Sequence, residues 1–273
     1  MRLNSPFLLS ANYEISPKGP SSQRFLSLMN QPFDFSDLTA ISRRALQIAM
    51  LSIKSDWNDI LVHPSDEDLD KFAEICFFRM FPSESNRSSD KESQNPKVKR
   101  DQWIHANNLV NSWISEGLHP NVERICELNG VFGHKIRDRS LTIRYEGFDP
   151  VDIQPALDYW ELWFSEKFKT HAPIQIATLA SSFIIEVHPF VNGNGRTARL
   201  VLDWILGLAN IPPPSFQHKI DALIARAPIV ESPKENVSVF SYDTPHSVAL
   251  DRVMSGIEHT LKILAGSSSI ESI

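Results

Sequence analysis

Two strongly apolar helical segments are joined by a polar, glycine-rich loop, and this arrangement limits the fold more than any other feature of the chain. Residues 174–187 place apolar side chains on most faces of a helix, and residues 196–209 repeat that pattern after the loop. A helix that is apolar nearly all round is expected to be buried. Pro189 disfavours a helical backbone at His188, which predicts that the first helix ends there. The loop, which reads HPFVNGNGRTAR over residues 188–199, should therefore lie between two central helices.

The loop itself carries the residues of an anion site. Gly193, Asn194 and Gly195 open the second helix, so several backbone N–H groups point the same way beside the positive end of the helix dipole. Successive amides in such a turn form a concave nest for an anion. Arg196 and Arg199 are three residues apart and share a helix face near that nest. The pattern predicts a phosphate cradle with a histidine at its edge.

The rest of the chain is predominantly helical in pattern. Apolar residues recur at helical spacing, with Gly117 as a typical stop and Asn121 as a typical N-cap. The further predicted helices cover residues 38–52, 66–80, 101–116, 122–132, 157–168, 216–227 and 247–264. Residues 140–148, SLTIRYEGF, alternate with a period of two and are the best strand candidate. Residues 228–246 are expected to be irregular.

A polar stretch at residues 82–100 has Val98 as its only large apolar residue and predicts a linker. We therefore divide the chain into residues 1–95, an N-terminal arm and helical extension with linker, and residues 96–273, a helical domain with a C-terminal helix. A chain of 273 residues is long enough for one large domain or two modest ones.

Composition argues against several classes of protein. The formal net charge is −6, whereas dedicated nucleic-acid binders usually carry a basic surface. No run reaches transmembrane length, and the apolar patch at residues 7–9 is too short for a signal peptide. Two cysteines, Cys76 and Cys126, cannot build a disulfide framework. We expect a cytoplasmic site of synthesis, no membrane and no nucleic-acid partner; secretion as an effector through another signal is left open.

The loop resembles the signature of the Fic family, from the wider Fic/Doc superfamily. His188, Pro189, Phe190, residues 193–196 and Arg199 stand at fixed positions of that signature. The resemblance implies an all-α fold, a Fic-type helical bundle with a small β-hairpin flap, here with an N-terminal helical extension. It also implies a protein adenylyltransferase, which transfers AMP from ATP to a Ser, Thr or Tyr hydroxyl of a target protein.

The resemblance further implies a role for each loop residue. His188 would be the general base that takes the proton of the target hydroxyl. Phe190 would point into the core and anchor the loop. The nucleotide phosphates would be bound by the amide nest and the two arginines, namely Gly193, Asn194, Gly195, Arg196 and Arg199. The first arginine would meet the β-phosphate and the second the γ-phosphate, a task for which guanidinium groups are well shaped.

Asn192 is the one departure from the family pattern, which usually has an acidic residue there to hold Mg²⁺. The asparagine oxygen carries no charge and is expected to be a weak metal ligand. Three consequences are open: slow catalysis, a different nucleotide or phosphodiester donor, or loss of catalysis. ATP is thus implied as the substrate, and Mg²⁺ as a metal that this chain would bind weakly.

Residues 140–148 resemble the flap of the family, which clamps a segment of the target protein by strand addition. Ile143 and Tyr145 would line that clamp.

Many members of the family also carry an inhibitory helix with the pattern [S/T]-x-x-x-E-[G/N], whose glutamate pairs with the second arginine of the signature. Residues 112–117 fit this pattern and would make Glu116 the inhibitory residue. Residues 267–272 fit it except at the last position and would give that role to Glu271.

Two other hypotheses stand beside an active transferase. A nucleotide-binding regulator or pseudoenzyme is motivated by Asn192, and it predicts ATP binding without transfer. A purely structural helical protein would bind no nucleotide, but buried helices rarely need two arginines and a Gly-Asn-Gly turn between them. A homo-oligomer is compatible with each hypothesis.

Overall fold

The structure, a computed structural model, describes residues 96–139, 148–215, 229–232, 237–240 and 246–264, together with Arg44, Gln47 and Ile48. From residue 96 onward the described chain forms six helices: α1 Pro96–Ser115, α2 Val122–Val131, α3 Pro150–Lys167, α4 Pro173–Val187, α5 Asn194–Leu208 and α6 His246–Leu264. Two short strands, β1 Ile229–Ser232 and β2 Val237–Phe240, pair antiparallel. The predicted helical fold class is confirmed. No helix in the described part of the chain has the length and hydropathy needed to cross a membrane.

Helices α4 and α5 form the centre of the fold. α4 packs mainly against α5 and also contacts α3 and α6, while α1 and α2 pack on α5. Every residue of α4 from Ile176 to Val187 is buried, as its apolar pattern predicts. A hydroxyl inside this core bonds to the backbone of its own helix: Ser181 Oγ donates to the Ala177 carbonyl at 2.8 Å. The loop that joins α4 and α5 is therefore fixed at both ends by buried helices.

Capping residues set the ends of α1 and α2 as predicted. Gly117 follows α1 with a φ of +67°, a conformation that favours glycine. Asn121 precedes α2, and its side-chain oxygen accepts the N–H of Arg124 at 2.9 Å, which satisfies one donor of the first turn.

Helix α3 begins earlier than the sequence pattern predicts. It starts at Pro150 and contains Pro155, which had been expected to precede it. Pro155 removes one hydrogen bond, the one to the carbonyl of Val151 four residues earlier. Val151 is 57% exposed, so water can reach this part of the helix.

Two other expectations about local structure are wrong. Residues 96–100 form the first turns of α1 and are not part of a linker. Residues 229–240, expected to be irregular, contain β1 and β2, because two short segments can pair with each other without a long alternating pattern. Several predictions concern positions outside the described residues: most of 38–52, all of 66–80, 140–147 with Ile143 and Tyr145, 216–227, and Glu271.

The N-terminal extension contacts the C-terminal helix. Arg44 is helical, and its guanidinium binds Glu258 through two hydrogen bonds, at 2.5 and 2.8 Å. It also donates to Asp251 at 2.5 Å and to Ser255 at 2.8 Å. Ile48, one helical turn further on, is buried in the core. This contact therefore spans the boundary that is predicted near residue 95.

Trp204 of α5 joins α5 to the end of α1. It is fully buried and stacks on Trp113 with ring centroids 4.5 Å apart. Its Nε1–H donates to the Leu118 carbonyl at 2.7 Å. The side chain thus combines apolar packing with a bond to the turn that follows α1.

Replacing Trp204 with Phe should lower the free energy of unfolding by about 2 kcal/mol, because a cavity forms and the Leu118 carbonyl loses its donor. Urea unfolding, followed by far-UV circular dichroism, measures the change. Leu162→Ala is the control: Leu162 is 45% exposed on α3, and its loss should cost no more than about 0.5 kcal/mol. Equal midpoints for the two variants would contradict the assigned packing role.

Candidate active site

The motif loop, residues 188–193 between α4 and α5, is held by backbone pairing with residues 135–137. Ile136 forms an isolated antiparallel bridge with Phe190, whose ring is buried in the core. Two hydrogen bonds flank the bridge: Arg137 N–H to Pro189 O at 2.9 Å, and Val191 N–H to Lys135 O at 3.0 Å. The path of the loop is thus fixed by its own backbone as well as by the helices on either side.

His188 ends α4 in the left-handed backbone conformation, with φ 51° and ψ 57°. The predicted helix end at this residue is confirmed. Left-handed geometry costs a non-glycine residue roughly 1–2 kcal/mol, so neighbouring contacts must hold it. The residue is half-buried, and its Nδ1 lies 3.4 Å from the Ile185 carbonyl oxygen. A carbonyl can only accept, so this contact places the proton on Nδ1 and leaves Nε2 as the basic nitrogen.

The surroundings keep the His188 imidazole uncharged. Burial lowers the pKa of His188 to about 4; the hydrogen bond to the Ile185 carbonyl opposes this shift, and the positive charge of Arg137 adds to it. At neutral pH the ring is therefore the neutral form that a general base requires.

Gly193 occupies the point where the loop turns into α5. Its φ is +79°, and a Cβ at this position would lie 2.8 Å from Asn129 Nδ2. Asn129 is fully buried on α2 and donates to Asn192 O at 3.1 Å and to Thr197 Oγ1 at 3.0 Å. Only glycine combines the positive φ with so close an approach. Gly193 and Asn129 thus act as one unit that sets the start of α5.

Asn194 uses its side chain to tie the loop to α5. The buried carboxamide accepts the Phe190 N–H and donates to the Phe190 carbonyl, both at 2.9 Å. Its contribution to an anion site is therefore limited to the backbone N–H. The first turn of a helix has N–H groups without acceptors in that helix, and those of Asn194 and Gly195 lie in this turn.

Two buried arginines lie at the N-terminal end of α5. Arg196 and Arg199 are each 5% exposed, and the Arg196 guanidinium carbon lies 4.4 Å from the centre of the Phe132 ring. Arg199 Nη1 lies 3.4 Å from the place that a Cβ on Gly195 would take, so this side chain folds back toward the helix N-terminus. Two cations beside the positive end of the helix dipole make this end of α5 suited to an anion.

The Asn192 side chain closes the turn into α5. Its Oδ1 accepts the Gly193 N–H at 2.7 Å. The oxygen is neutral and already accepts a hydrogen bond, whereas proteins usually hold Mg²⁺ with one or two carboxylates and substrate phosphates. In the described parts of the chain, no cluster of three or more His, Cys, Asp or Glu side chains could hold a metal ion. The residues of the loop therefore do not fit a protein-held Mg²⁺.

Glu116, one of the two predicted inhibitory residues, is not brought to the arginines. It is exposed at the end of α1, where Ser112 Oγ donates to its carboxylate at 3.3 Å. Ile114 in the same turn packs against Gly207 of α5. Gly207 lies about 16 Å along the helix axis from Arg196 at 1.5 Å per residue, so Glu116 lies beside the opposite end of α5.

Two residues that contact the motif loop are not singled out by the sequence. Asn129 interrupts the apolar face of α2 beside Leu128, and a polar residue at a buried helix position is a weak signal of this kind. Arg137 donates through Nε to the His188 carbonyl at 2.7 Å. It stands in the charged segment KIRDR, where no pattern separates it from Arg139.

Gly193→Ala should lower the free energy of unfolding by roughly 2–4 kcal/mol, because alanine adds backbone strain and displaces the Asn129 amide from its acceptors. The urea midpoint is the measurement, with an unchanged slope as a sign of two-state unfolding. Gly130→Ala is the matched control, since a Cβ there meets nothing within 4 Å on helix α2. That change should be neutral or stabilising by up to about 1 kcal/mol, and similar losses in both variants would refute the argument.

The His188 ring should stay neutral on acidification until the pH falls to about 4. NMR of protein with ¹³C-labelled histidine rings measures this titration, and the His188→Ala variant identifies the resonance. A free histidine side chain would instead gain its proton near pH 6.5. Protonation is favoured only below the lowered pKa, so the basic form of His188 should persist throughout the range from pH 5 to 8. A midpoint at or above about 6.5 would show that the ring is not desolvated.

Known proteins resemble this chain in sequence. Residues 114–206 match the model of the Fic/DOC family. Two curated relatives are each called protein adenylyltransferase Fic. Over 65 residues, the one from Drosophila melanogaster is 40% identical to this chain and the one from Drosophila erecta is 38% identical. The matched segment is 23% of this chain and 13% of either relative.

Two solved structures have a similar fold. Fic-1 from C. elegans aligns with a TM-score of 0.60 at 17% identity, over 93% of this chain and 80% of that chain. A Fic domain containing signaling protein from Bacteroides thetaiotaomicron aligns with a TM-score of 0.52 at 16% identity, over 93% and 98% of the two chains. Residues 114–206 of this chain therefore match the Fic/DOC family, and the chain has a helical fold like that of these two structures.

Proposed function

We propose that this protein is a protein nucleotidyltransferase that moves AMP from ATP to a Ser, Thr or Tyr hydroxyl of a target protein. One observation carries the proposal: a neutral histidine with a basic Nε2 stands six residues before a helix N-terminus that holds two buried arginines. A base beside a polyphosphate cradle suits the transfer of a phosphorus group to a hydroxyl.

In the proposed reaction, Nε2 of His188 accepts the proton of the target hydroxyl. The oxygen attacks the α-phosphorus of ATP in line, an O–P bond forms, and the bond from the α-phosphorus to the bridging oxygen breaks. The products are the adenylylated target protein and pyrophosphate. Because the His188 ring is neutral and held at Nδ1 by a carbonyl, no rearrangement of its tautomer precedes the proton transfer.

The phosphates of the nucleotide would lie against the N-terminus of α5. The N–H groups of Asn194 and Gly195 point out of the first turn. Arg196 in that turn, and Arg199, whose side chain folds back toward it, add two positive charges. Charge-assisted bonds from guanidinium groups are the stronger kind, and the buried site strengthens them further. The leaving pyrophosphate would thus develop its charge where the protein already provides compensation. No step of this reaction is assigned to a metal.

The similar proteins support the transferase class. The curated relatives are called protein adenylyltransferase, and the family match at residues 114–206 contains the motif loop and most of α5. The match covers only 13% of those proteins. The nucleotide, the target protein and the role of the flap are therefore our proposals for this chain. The flap proposed at residues 140–148 would hold the target hydroxyl near His188.

A nucleotide-binding regulator without transferase activity is the second candidate. The Asn192 side chain favours it, because an amide that closes the turn into α5 preserves the phosphate cradle without offering a charged metal ligand. Such a regulator would bind ATP through the phosphate cradle and would not cleave it.

Incubation with α-³²P-ATP and protein extract should label a target protein or the chain itself, and intact-mass analysis should show the addition of AMP. His188→Ala should lower the labelling rate about 10²- to 10⁴-fold, the usual contribution of a general base. His105→Ala, which changes an exposed histidine of α1, should label at the wild-type rate. Saturable ATP binding without label identifies the regulator, and undiminished labelling by His188→Ala would refute the assigned base.

A further inference from the structure

Arg137 joins the segments that surround His188. Arg137 is 4% exposed, and its guanidinium donates to four backbone carbonyls. Two acceptors lie at the end of α4, His188 at 2.7 Å from Nε and Val187 at 3.4 Å from Nη2. The other two are Arg139, at 3.0 Å from Nη1, and Phe148, which accepts from Nη2. One side chain thus bonds to the end of a central helix and to both residues that flank positions 140–147.

The electrostatics at this position favour a cation. The last carbonyls of a helix have no acceptor role within the helix itself, and the helix dipole is negative at this end. Burial lowers the pKa of the Arg137 guanidinium, and the negative charge of Asp149 opposes that shift. An arginine can stay charged there, since its ordinary pKa is far above neutral. Its rigid fork also reaches several carbonyls at once, which a single ammonium group cannot do.

We propose that Arg137 is a positioning residue, which holds the His188 backbone so that Nε2 keeps its place relative to the N-terminus of α5. His188 has a left-handed backbone, and such a conformation persists only where several contacts determine it. The bond from Arg137 Nε fixes the carbonyl of His188, and the Arg137 N–H fixes the carbonyl of Pro189. The ring is then oriented by its contact with Ile185. This inference rests on the proposed function of His188 as a base.

Loss of this contact should affect proton transfer much more than nucleotide binding. The amides and arginines of α5 have their own supports, Asn129 and the Asn194 side chain, on a different side of the loop. Misplacement of a reacting group by about 1 Å can reduce a rate about 100-fold. A residue that merely stabilised the fold would change the amount of native protein and leave the kinetic constants of that native protein unaltered.

The test compares Arg137→Gln, Arg137→Lys and Arg124→Gln in the full chain. Arg124 also donates to a backbone carbonyl, that of His119 at 3.1 Å, but away from the motif loop. With active-site concentration set by nucleotide titration, Arg137→Gln should lower kcat about 100-fold with KM for ATP within about twofold. Arg137→Lys should recover part of the loss, since an ammonium can keep one carbonyl, and Arg124→Gln should match the wild type. An unchanged kcat, or a rise in KM equal to the fall in kcat, would overturn the proposal.

Hydrogen–deuterium exchange separates this proposal from the proposed function, because it needs no activity. The amides of Arg137 and Val191 are bonded across the loop, so both should exchange at least tenfold faster in Arg137→Gln than in wild type, and less so in Arg137→Lys. Faster exchange in a chain that never transfers AMP would refute the transferase and keep the positioning role. Unchanged exchange at both amides would refute the positioning role itself. If Arg137→Gln does not fold, Arg137→Lys must show intermediate exchange and kcat for the proposal to stand.

Discussion

A polar loop between two apolar helices can be buried only if its backbone groups find partners inside the protein. That constraint governs the centre of this fold, because α4 and α5, which flank the motif loop, are both buried. Partners come from three directions: the antiparallel bridge to Ile136, the Asn194 side chain, and Asn129 on α2. Each of these contacts gives a polar group of the loop a hydrogen-bond partner and at the same time fixes a residue of the candidate site. Packing and chemistry therefore depend on the same small set of contacts.

Much of the helical architecture can be predicted from the sequence because α4, α5 and α6 have long apolar patterns and recognisable ends. Gly117 and Asn121 act locally, so their effect on helix boundaries needs no knowledge of the fold. The first turns of α1 and α3 do not follow from the sequence pattern, because residues 96–100 carry a single large apolar residue and because Pro155 stands inside α3, where a proline usually ends a helix. Strands β1 and β2 were not predicted for another reason: each is only four residues long, and each forms by pairing with the other.

The candidate site also has one part that the sequence predicts and another that only the structure shows. His188, Gly193 and the two arginines lie within twelve residues, so their spacing alone indicates a phosphate site at a helix N-terminus. Asn129 and Arg137 come from chain segments more than fifty residues earlier, and nothing in a single sequence states that they meet the loop. The state of the histidine is also a property of the folded protein, since burial is the main cause of its lowered pKa. The sequence therefore predicts which groups would react, while the contacts that support them and the protonation of His188 come from the structure.

The contact between Arg44 and α6 bears on how this protein can be divided into smaller pieces. The family match covers residues 114–206, yet α6 lies outside it and packs on α4, and α1 begins well before it. Ile48 and the Trp103 side chain, both almost fully buried, also come from outside the match. A fragment cut at the family boundaries would expose the apolar faces that these elements cover and would be prone to aggregate. The segment that matches the family thus packs against parts of the chain on either side of it, and expression fragments of this protein need to retain both.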